Sequence, residues 1–120
     1  MANILVVDDA AFVRYTMKGI LEKNGHTVVA DTDSGSLALQ LYEKHKPDIV
    51  LLDITMPGMN GIEILTKLRA MDSKAKVIMC SSMGQPAMLA ETIERGALDF
   101  VIKPFKEEQV ITAIEKALKK

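Results

Sequence analysis

Side chains that can bind a metal ion or a phosphate group follow four short apolar segments of the sequence. In chain order they are Asp8 and Asp9, Asp53, Ser81 and Lys103. Carboxylates held close together repel one another, so a stable ionised cluster at neutral pH requires a cation. Mg²⁺ is the natural candidate, because it takes one or two carboxylates, carbonyl oxygens and waters and readily carries phosphate. We therefore predict a magnesium site where these segments meet.

A site of this composition suits the transfer of a phosphoryl group. Asp53 is the best candidate for the nucleophile because it stands alone, whereas the adjacent Asp8 and Asp9 are better suited to holding the metal. Lys103 can pair with a carboxylate at rest and later with a phosphoryl oxygen, to which Ser81 can donate a hydrogen bond. The expected product is an aspartyl phosphate, and its formation needs no additional general base.

The apolar segments predict the elements that must position these side chains. Residues 49–52 are apolar without alternation, which indicates a strand buried on both faces. Five strand segments alternate with five helical segments, so we expect right-handed βαβ units in a doubly wound α/β fold. The ligand crevice of such a fold lies at the carboxyl ends of its strands. The predicted strands are residues 3–7, 27–30, 49–52, 77–80 and 100–102.

Helical spacing of apolar residues predicts which helix faces are buried. The second helix is expected to begin at Ser34 and to bury an apolar stripe, and the third is expected to turn Met71 inward with its other apolar residues. The stripe of the second helix is Leu37, Leu41 and Tyr42. His26 and His45 are expected in solvated or helix-capping positions near helix ends.

Length and composition indicate one domain, residues 1–120, of ordinary globular type. The sequence carries 15 Lys+Arg and 16 Asp+Glu for a net charge of -1, which gives no reason to expect nucleic acid binding. Its apolar runs are too short to span a bilayer and no cleavable leader precedes the first strand, so we expect a cytoplasmic protein. The single cysteine, Cys80, excludes an internal disulfide and is interpreted as a small buried hydrophobe.

Short motifs surround the polar residues that follow the predicted strands. They are Val7-Asp8-Asp9, Asp53-Ile54-Thr55-Met56-Pro57 followed by Gly61, Ser81-Ser82 and Lys103-Pro104. In this order they resemble the signature of the receiver domain of two-component response regulators, and the resemblance covers the whole chain. Residues 8–14 and 81–85 are most similar to the stand-alone chemotaxis members. The resemblance implies a flavodoxin-like (βα)5 sandwich with a parallel sheet in strand order 2-1-3-4-5.

The resemblance also implies how the carboxylates share their tasks. Asp53 would be the phosphoacceptor and would also face the metal. Asp9 would bind Mg²⁺ directly and Asp8 mostly through water. The backbone carbonyl of Thr55 would be a further metal ligand.

The resemblance further implies a conformational switch on the last two strands. Ser81 and Lys103 would bind the phosphoryl group, and Ser81 would move toward it while Phe100 turns inward. These two switch positions carry Thr and Tyr in the best-known members, and Phe100 lacks the phenol hydroxyl that a target could read. The bond between Lys103 and Pro104 is expected to be cis. From the residues alone, Phe100 is as readily a plain core aromatic.

The function implied by the resemblance is a phosphorylation-activated switch and not an enzyme that acts on other molecules. A sensor histidine kinase of the CheA type would donate the phosphoryl group, and self-phosphorylation and autodephosphorylation would be the only chemistry. The expected target is a flagellar motor switch protein, bound through the face of the fourth helix, fifth strand and fifth helix. A phosphatase is a further candidate partner. A monomer without nucleic acid or membrane partners is expected.

Other interpretations of the same residues stay open. A phosphatase with an aspartyl-phosphate intermediate needs a second Asp where Thr55 stands. A flavin carrier needs a Gly-rich phosphate loop where Asp8 and Asp9 would repel phosphate in the absence of metal. A single-domain receiver in another phosphorelay fits every motif. Taken singly, Asp9 could cap a helix, and Met83 and Met88 could be core residues or an adaptable docking surface.

Overall fold

The computed structural model describes residues 2–54, 56, 60–82 and 86–120, in which strands and helices alternate as predicted. The strands are β1 (Asn3–Val7), β2 (Thr27–Thr32), β3 (Ile49–Asp53), β4 (Val77–Ser82) and β5 (Asp99–Lys103). The helices are α1 (Ala11–Lys23), α2 (Gly35–His45), α3 (Gly61–Met71), α4 (Pro86–Glu94) and α5 (Glu107–Leu118). Among the described residues, no helix has the length and apolar character needed to cross a membrane.

All five strands are parallel and lie in the order β2-β1-β3-β4-β5. This confirms the doubly wound α/β fold and its strand order. β1 and β3 are neighbours, with Val7 opposite Leu52, although residues 8–48 separate the two strands in the chain. Because the strands are parallel, their carboxyl ends meet at one edge of the sheet.

The core occupies both faces of the sheet, because successive strand residues point to opposite sides. Val50 and Leu52 of β3 belong to the cluster covered by α2 and α3. Ile49 and Leu51 belong to the cluster covered by α1 and α5. All four side chains are at most 1% exposed, which confirms the prediction that this strand is buried on both faces.

The predicted faces of α2 and α3 are partly wrong. Leu37 is 43% exposed and Met71 is 45% exposed, while the buried residues of α2 are Gly35, Ala38 and Tyr42. Ala38 and Tyr42 are four residues apart and therefore share one helix face, which leaves Leu37 at the margin of the buried stripe. Met71 is the last residue of α3. The Tyr42 hydroxyl donates to Oδ2 of Asp72 at 2.9 Å and links α2 to the end of α3.

The expectation of a solvated or capping His26 is also wrong. This side chain is 9% exposed, and its Nδ1 accepts a hydrogen bond from the backbone N–H of Ala2 at 3.2 Å. His26 therefore fastens the beginning of β2 to the residue before β1.

The second strand is longer than its apolar pattern predicts. It continues through Asp31 and Thr32, which pair with Val6 and Val7 of β1. The Asp8 N–H extends this pairing by donating to the carbonyl of Thr32 at 3.0 Å. An edge strand has one side open to solvent and so tolerates polar residues that would end a central strand.

Candidate metal and phosphoryl site

The three predicted carboxylates meet at the carboxyl edge of the sheet. Asp53 is the last residue of β3, and Asp8 and Asp9 directly follow the neighbouring strand β1. Asp8 is 2% exposed and Asp53 is 5% exposed, whereas Asp9 is exposed. One ligand oxygen of each lies within 4.8 Å of the others. The tertiary structure thus brings together groups that are far apart in the sequence.

Asp8 is held by its side chain and by its backbone. Its Oδ1 accepts a hydrogen bond from the Ala10 N–H at 2.9 Å, and its Oδ2 lies 2.8 Å from the Lys103 ammonium nitrogen. The first helix begins immediately afterwards, with Ala10 as the N-cap and no side-chain cap. Asp9 is therefore not the N-cap of α1, and the helix-cap interpretation of this residue is wrong.

Lys103 supplies positive charge to the carboxylate cluster. Its Nζ lies 2.8 Å from Oδ2 of Asp8 and 3.5 Å from Oδ2 of Asp53. Burial by itself would lower the pKa of Lys103, but the hydrogen bond to Asp8 and the charges of Asp53 and Asp8 outweigh it and raise the pKa above its usual value. Lys103 is therefore a protonated donor that faces both carboxylates.

Cys80 lies beside the cluster as a buried neutral thiol. It is the residue of β4 paired with Asp53 in the sheet, and it is 3% exposed. Burial raises the pKa of this thiol strongly, and the negative charges of Asp8 and Asp53 raise it further. A thiol that stays protonated is a poor nucleophile, so the interpretation of Cys80 as a small buried hydrophobe fits its surroundings.

Ser81 follows Cys80 on β4 and is fully buried. Its hydroxyl donates a hydrogen bond to the carbonyl of Ser82 at 3.0 Å. To donate to a phosphoryl group on Asp53 instead, the hydroxyl would have to rotate away from that carbonyl. Thr55 and Met83 lie outside the described residues. The Lys103–Pro104 peptide bond is cis.

Gly61 allows α3 to begin directly against the end of β3. Its N–H donates to the carbonyl of Ile54 at 2.7 Å. A β-carbon at this position would clash with the backbone carbonyl oxygen of Asp53 and would lie 2.7 Å from the Cα of Ile54. The Asn60 side chain caps the helix by accepting from the Glu63 N–H at 3.0 Å. The glycine thus sets how closely a helix can approach the candidate phosphoacceptor.

Phe100 lies on β5, which is directly adjacent to the strand of Ser81, β4. Its side chain is 43% exposed. It lines a groove of about 530 Å³ between β5 and α5, whose charged lining residues are Asp99, Lys106, Glu108 and Lys116. Its outward position excludes, for this conformation, the interpretation of Phe100 as a plain core aromatic. Met88 of α4 is partly buried against the core.

Arg14 contacts the backbone of Asp8 beside the carboxylate cluster, although sequence reasoning did not single it out. Its Nη1 donates to the backbone carbonyl of Asp8 at 2.8 Å, and its Nε donates to Oδ1 of Asp31 at 2.9 Å. Arg14 is a charged residue in the first helix close behind the acidic pair. Its place in the sequence does not by itself predict a contact with Asp8, because the contact depends on how α1 is rotated about its own axis.

The cluster has the composition of a site for a small, hard cation beside a phosphoryl group. Carboxylate oxygens are the donors that Mg²⁺ prefers, and three of them converge here. Lys103 adds a donor that can turn toward an anion. The arrangement can therefore neutralise a carboxylate and stabilise charge on an incoming phosphoryl group.

Comparison with known proteins gives concordant matches over almost the whole chain. A family model described as Response regulator receiver domain matches residues 4–115. The chemotaxis protein CheY of Bacillus subtilis (strain 168) is 50% identical over 116 residues, which are 97% of this chain and 97% of that protein. The chemotaxis protein CheY of Thermotoga maritima is 47% identical over 117 residues, with 98% of each chain covered.

A solved structure shares the same fold. It is the crystal structure of a CheX-CheY-BeF3-Mg+2 complex from Borrelia burgdorferi, in which the matching chain is 32% identical with a TM-score of 0.93. The match covers 98% of this chain and 90% of that chain.

Proposed function

The chain belongs to the family of response regulator receiver domains, and from this premise we propose that it is a switch activated by phosphorylation of Asp53. The observation that carries the proposal is the position of Asp53 at the carboxyl end of β3, inside a cluster with Asp8 and Asp9 and 3.5 Å from the Lys103 ammonium. These groups can neutralise the aspartate and receive the group it captures.

Phosphoryl transfer to Asp53 takes place in one displacement step in this proposal. A carboxylate oxygen forms the bond to phosphorus while the bond between phosphorus and a kinase histidine nitrogen breaks, and the imidazole leaves with that electron pair. An ionised carboxylate has no proton to lose, so no general base is needed. Lys103 donates to a phosphoryl oxygen, and Ser81 does the same after its hydroxyl rotates.

Mg²⁺ is the proposed cofactor of the carboxylate cluster. Asp8, Asp9 and Asp53 supply the hard oxygen donors that this cation prefers, and Asp9 is the exposed member through which a hydrated ion can enter. When bound, the metal supplies positive charge against the carboxylates and the phosphoryl oxygens. The backbone carbonyl of Thr55 stays a proposed further ligand.

Phosphorylation would change the partners of the residues around Asp53 and so bias a conformational equilibrium. Ser81 would exchange its bond to the Ser82 carbonyl for one to the phosphoryl group, and Phe100 on the adjacent strand would turn inward. A coupling free energy of about 1–3 kcal/mol is typical of such two-state switches. In this proposal, the half-exposed Phe100 of this structure represents the unphosphorylated state, before the side chain turns inward.

The proposed output face is formed by α4, β5 and α5. The groove beside Phe100 is about 530 Å³ and is lined by two lysines and two carboxylates, so it offers charges of both signs to a partner segment. Similarity to chemotaxis proteins CheY supports a CheA-type kinase as donor and a flagellar motor switch protein as target. A candidate phosphatase would act on the same acyl phosphate. We propose that the protein acts in the cytoplasm as a monomer.

Direct phosphorylation by a small donor tests the central part of this proposal. The protein is incubated with MgCl2 and acetyl phosphate or phosphoramidate, and the modified residue is mapped by mass spectrometry. We expect one adduct on Asp53, dependent on Mg²⁺ and absent from Asp53→Asn. No adduct, or an adduct that survives this substitution, contradicts the proposal.

The same preparation distinguishes a switch from a phosphatase. We propose that the protein does not catalyse reactions of other molecules, so turnover of phosphate monoesters should stay at the level of the Asp53→Asn control. Rapid turnover that depends on Asp53 would favour the phosphatase interpretation instead.

A further inference from the structure

The Arg14 guanidinium joins the first turn of α1 to two other parts of the fold. Its Nη1 donates to the backbone carbonyl of Asp8 at 2.8 Å, and its Nε donates to Oδ1 of Asp31 at 2.9 Å. The Arg14 side chain is 19% exposed and that of Asp31 is 41% exposed. The guanidinium therefore links the residue that follows β1 to a residue of β2.

The acceptor of this hydrogen bond lies in the peptide group that connects two candidate metal ligands. The carbonyl of Asp8 and the N–H of Asp9 belong to one planar unit, so fixing the carbonyl direction also fixes the plane. Rotation of that plane about the Cα–C bond of Asp8 leaves the Cα–Cβ bond of Asp8 in place but turns Asp9 with it. A donor aimed at this carbonyl therefore controls where the carboxylate of Asp9 lies relative to that of Asp8.

The other bonds of Asp8 hold its N–H and its carboxylate, and Arg14 is the side chain that contacts its carbonyl. Its N–H is paired with the Thr32 carbonyl in the sheet, and its side chain is held by Ala10 and Lys103. These contacts fix the position of the Asp8 Cα and the direction of its carboxylate. The rotation of the following peptide toward Asp9 is restrained by two contacts, the Ala10 N–H bond to Oδ1 of Asp8 and the Arg14 bond to the Asp8 carbonyl.

We propose that Arg14 is a positioning residue for the magnesium site, which holds the Asp8–Asp9 peptide so that the carboxylate of Asp9 faces the cluster formed with Asp8 and Asp53. The inference rests on the proposed Mg²⁺ site. Asp31 orients the guanidinium through the second N–H group. Arginine suits this task because its rigid planar fork presents several donors in fixed directions, whereas a lysine ammonium cannot reproduce that fork.

The charge of Arg14 and its proposed positioning role predict opposite effects on Mg²⁺ affinity when the side chain is removed. A positive guanidinium near a divalent cation opposes binding, so removing it would tighten Mg²⁺ binding if only its charge acted. If Arg14 positions the ligands, removing it weakens binding, because residues that orient metal ligands typically contribute about 10–100-fold to affinity. The sign of the change therefore separates the two explanations.

Magnesium affinity is measured by isothermal titration for the wild type and for Arg14→Met, Arg14→Lys and Asp31→Asn. We expect about 10-fold weaker binding for Arg14→Met, a clear loss for Arg14→Lys, and a smaller loss for Asp31→Asn. Lys18→Met is the matched control, since Lys18 is exposed one turn further along α1 and its substitution removes the same charge. Unchanged or tighter binding by Arg14→Met overturns the proposal.

A second measurement on the metal-free protein does not depend on the magnesium site. Backbone ¹⁵N order parameters of Asp9 and hydrogen exchange of the Ala10 amide are compared between wild type and Arg14→Met, with β3 amides reporting overall folding. We expect Asp9 to become more mobile and Ala10 to exchange faster while β3 is unchanged. Equal values at both sites contradict the positioning role. If the wild type fails to bind Mg²⁺, the proposed cofactor is wrong, and this comparison still decides whether Arg14 holds the peptide.

Discussion

At the scale of single residues, the Lys103 ammonium lies between two carboxylates that would otherwise repel each other. Asp8 and Asp53 are almost fully buried, so their negative charges are weakly screened by solvent. The distances of 2.8 Å and 3.5 Å from Nζ to their oxygens make Lys103 a shared partner. A bound cation would take over part of this neutralisation and release the ammonium for an anion.

Lys103→Met should destabilise the metal-free protein and make its stability depend more strongly on Mg²⁺. We expect a loss of about 1–3 kcal/mol in the free energy of unfolding, because two buried carboxylates lose their counter-charge while part of the site is open to water. Mg²⁺ binds the folded state alone, and it should recover more free energy in the variant because there it meets carboxylates that have no other counter-charge. Urea unfolding with and without Mg²⁺ measures both quantities.

Lys106→Met is the control for this substitution, since Lys106 is exposed and lies three residues away. It should change neither the metal-free stability nor its response to Mg²⁺ by more than about 0.5 kcal/mol. An equal response to Mg²⁺ in Lys103→Met and wild type would show that Lys103 and the metal do not share a task.

His26 should make the protein less stable as the solution becomes mildly acidic. Burial lowers the pKa of His26 below its ordinary value of 6.5, against the opposing charge of Glu115. The unfolded chain therefore binds the proton more readily, so the stability contributed by neutral His26 is present above pH 6.5 and is lost as pH falls through the folded-state pKa. Protonation would also remove the acceptor for the Ala2 N–H.

Urea unfolding between about pH 5 and pH 7.5 measures this dependence. The slope of stability against pH should be smaller in His26→Gln than in the wild type, and His45→Gln should keep the wild-type slope. A slope that His26→Gln leaves unchanged would assign the acid sensitivity to other groups.

At the scale of elements, Gly61 sets the distance between α3 and the end of β3. Gly61→Ala should cost about 1–3 kcal/mol or more, because the new methyl group would meet backbone atoms of Asp53 and Ile54 that cannot move aside. The matched control is Gly19→Ala, where a β-carbon on α1 meets nothing within 4 Å. That variant should gain about 0.5–1 kcal/mol, because Ala favours a helix more than Gly does. Urea unfolding of both variants measures the contrast, and equal changes would contradict the packing argument.

Helix existence and helix orientation differed in how well they could be predicted. Apolar spacing predicted α2 and α3, and Ser34, the expected start of α2, does cap that helix. The exposed Leu37 and Met71 show that the same spacing predicted the buried face less well. A residue at the margin of a stripe is buried or exposed according to a small rotation of the helix, which only packing decides.

At the scale of the whole molecule, the strand order connects the candidate phosphoacceptor to the proposed output face. β3, β4 and β5 are consecutive neighbours, and Ser81 and Phe100 lie on the last two of them. A change at Asp53 therefore has to cross only one strand to reach the exposed side of β5. The packed sheet makes this path stiff, which favours two discrete arrangements over a gradual deformation.

Phe100 should respond to a phosphoryl mimic at Asp53. The three phenylalanines are replaced by fluorophenylalanine, and Phe100→Leu identifies the ¹⁹F resonance of Phe100. On addition of beryllofluoride and Mg²⁺, we expect this resonance to shift more than that of Phe12, which is exposed on α1. The shift should be absent in Asp53→Asn. A Phe100 resonance that stays constant would contradict the switch.

The sequence by itself determined the parallel α/β fold and the polar residues at the strand ends. Buried parallel strands require unbroken apolar runs, and βαβ connections have one favoured hand, so both features can be inferred without coordinates. The convergence of Asp8, Asp9 and Asp53 follows from the same rules, because carboxyl ends of parallel strands share an edge.

Only the tertiary structure decided how those residues are held. The sharing of Lys103 between two carboxylates, the contact of Arg14 with the Asp8 carbonyl and the burial of His26 depend on elements far apart in the chain. Their geometry is set by strand register and by the rotation of each helix on the sheet. Neither quantity is encoded in local spacing, because both result from packing all the elements at once.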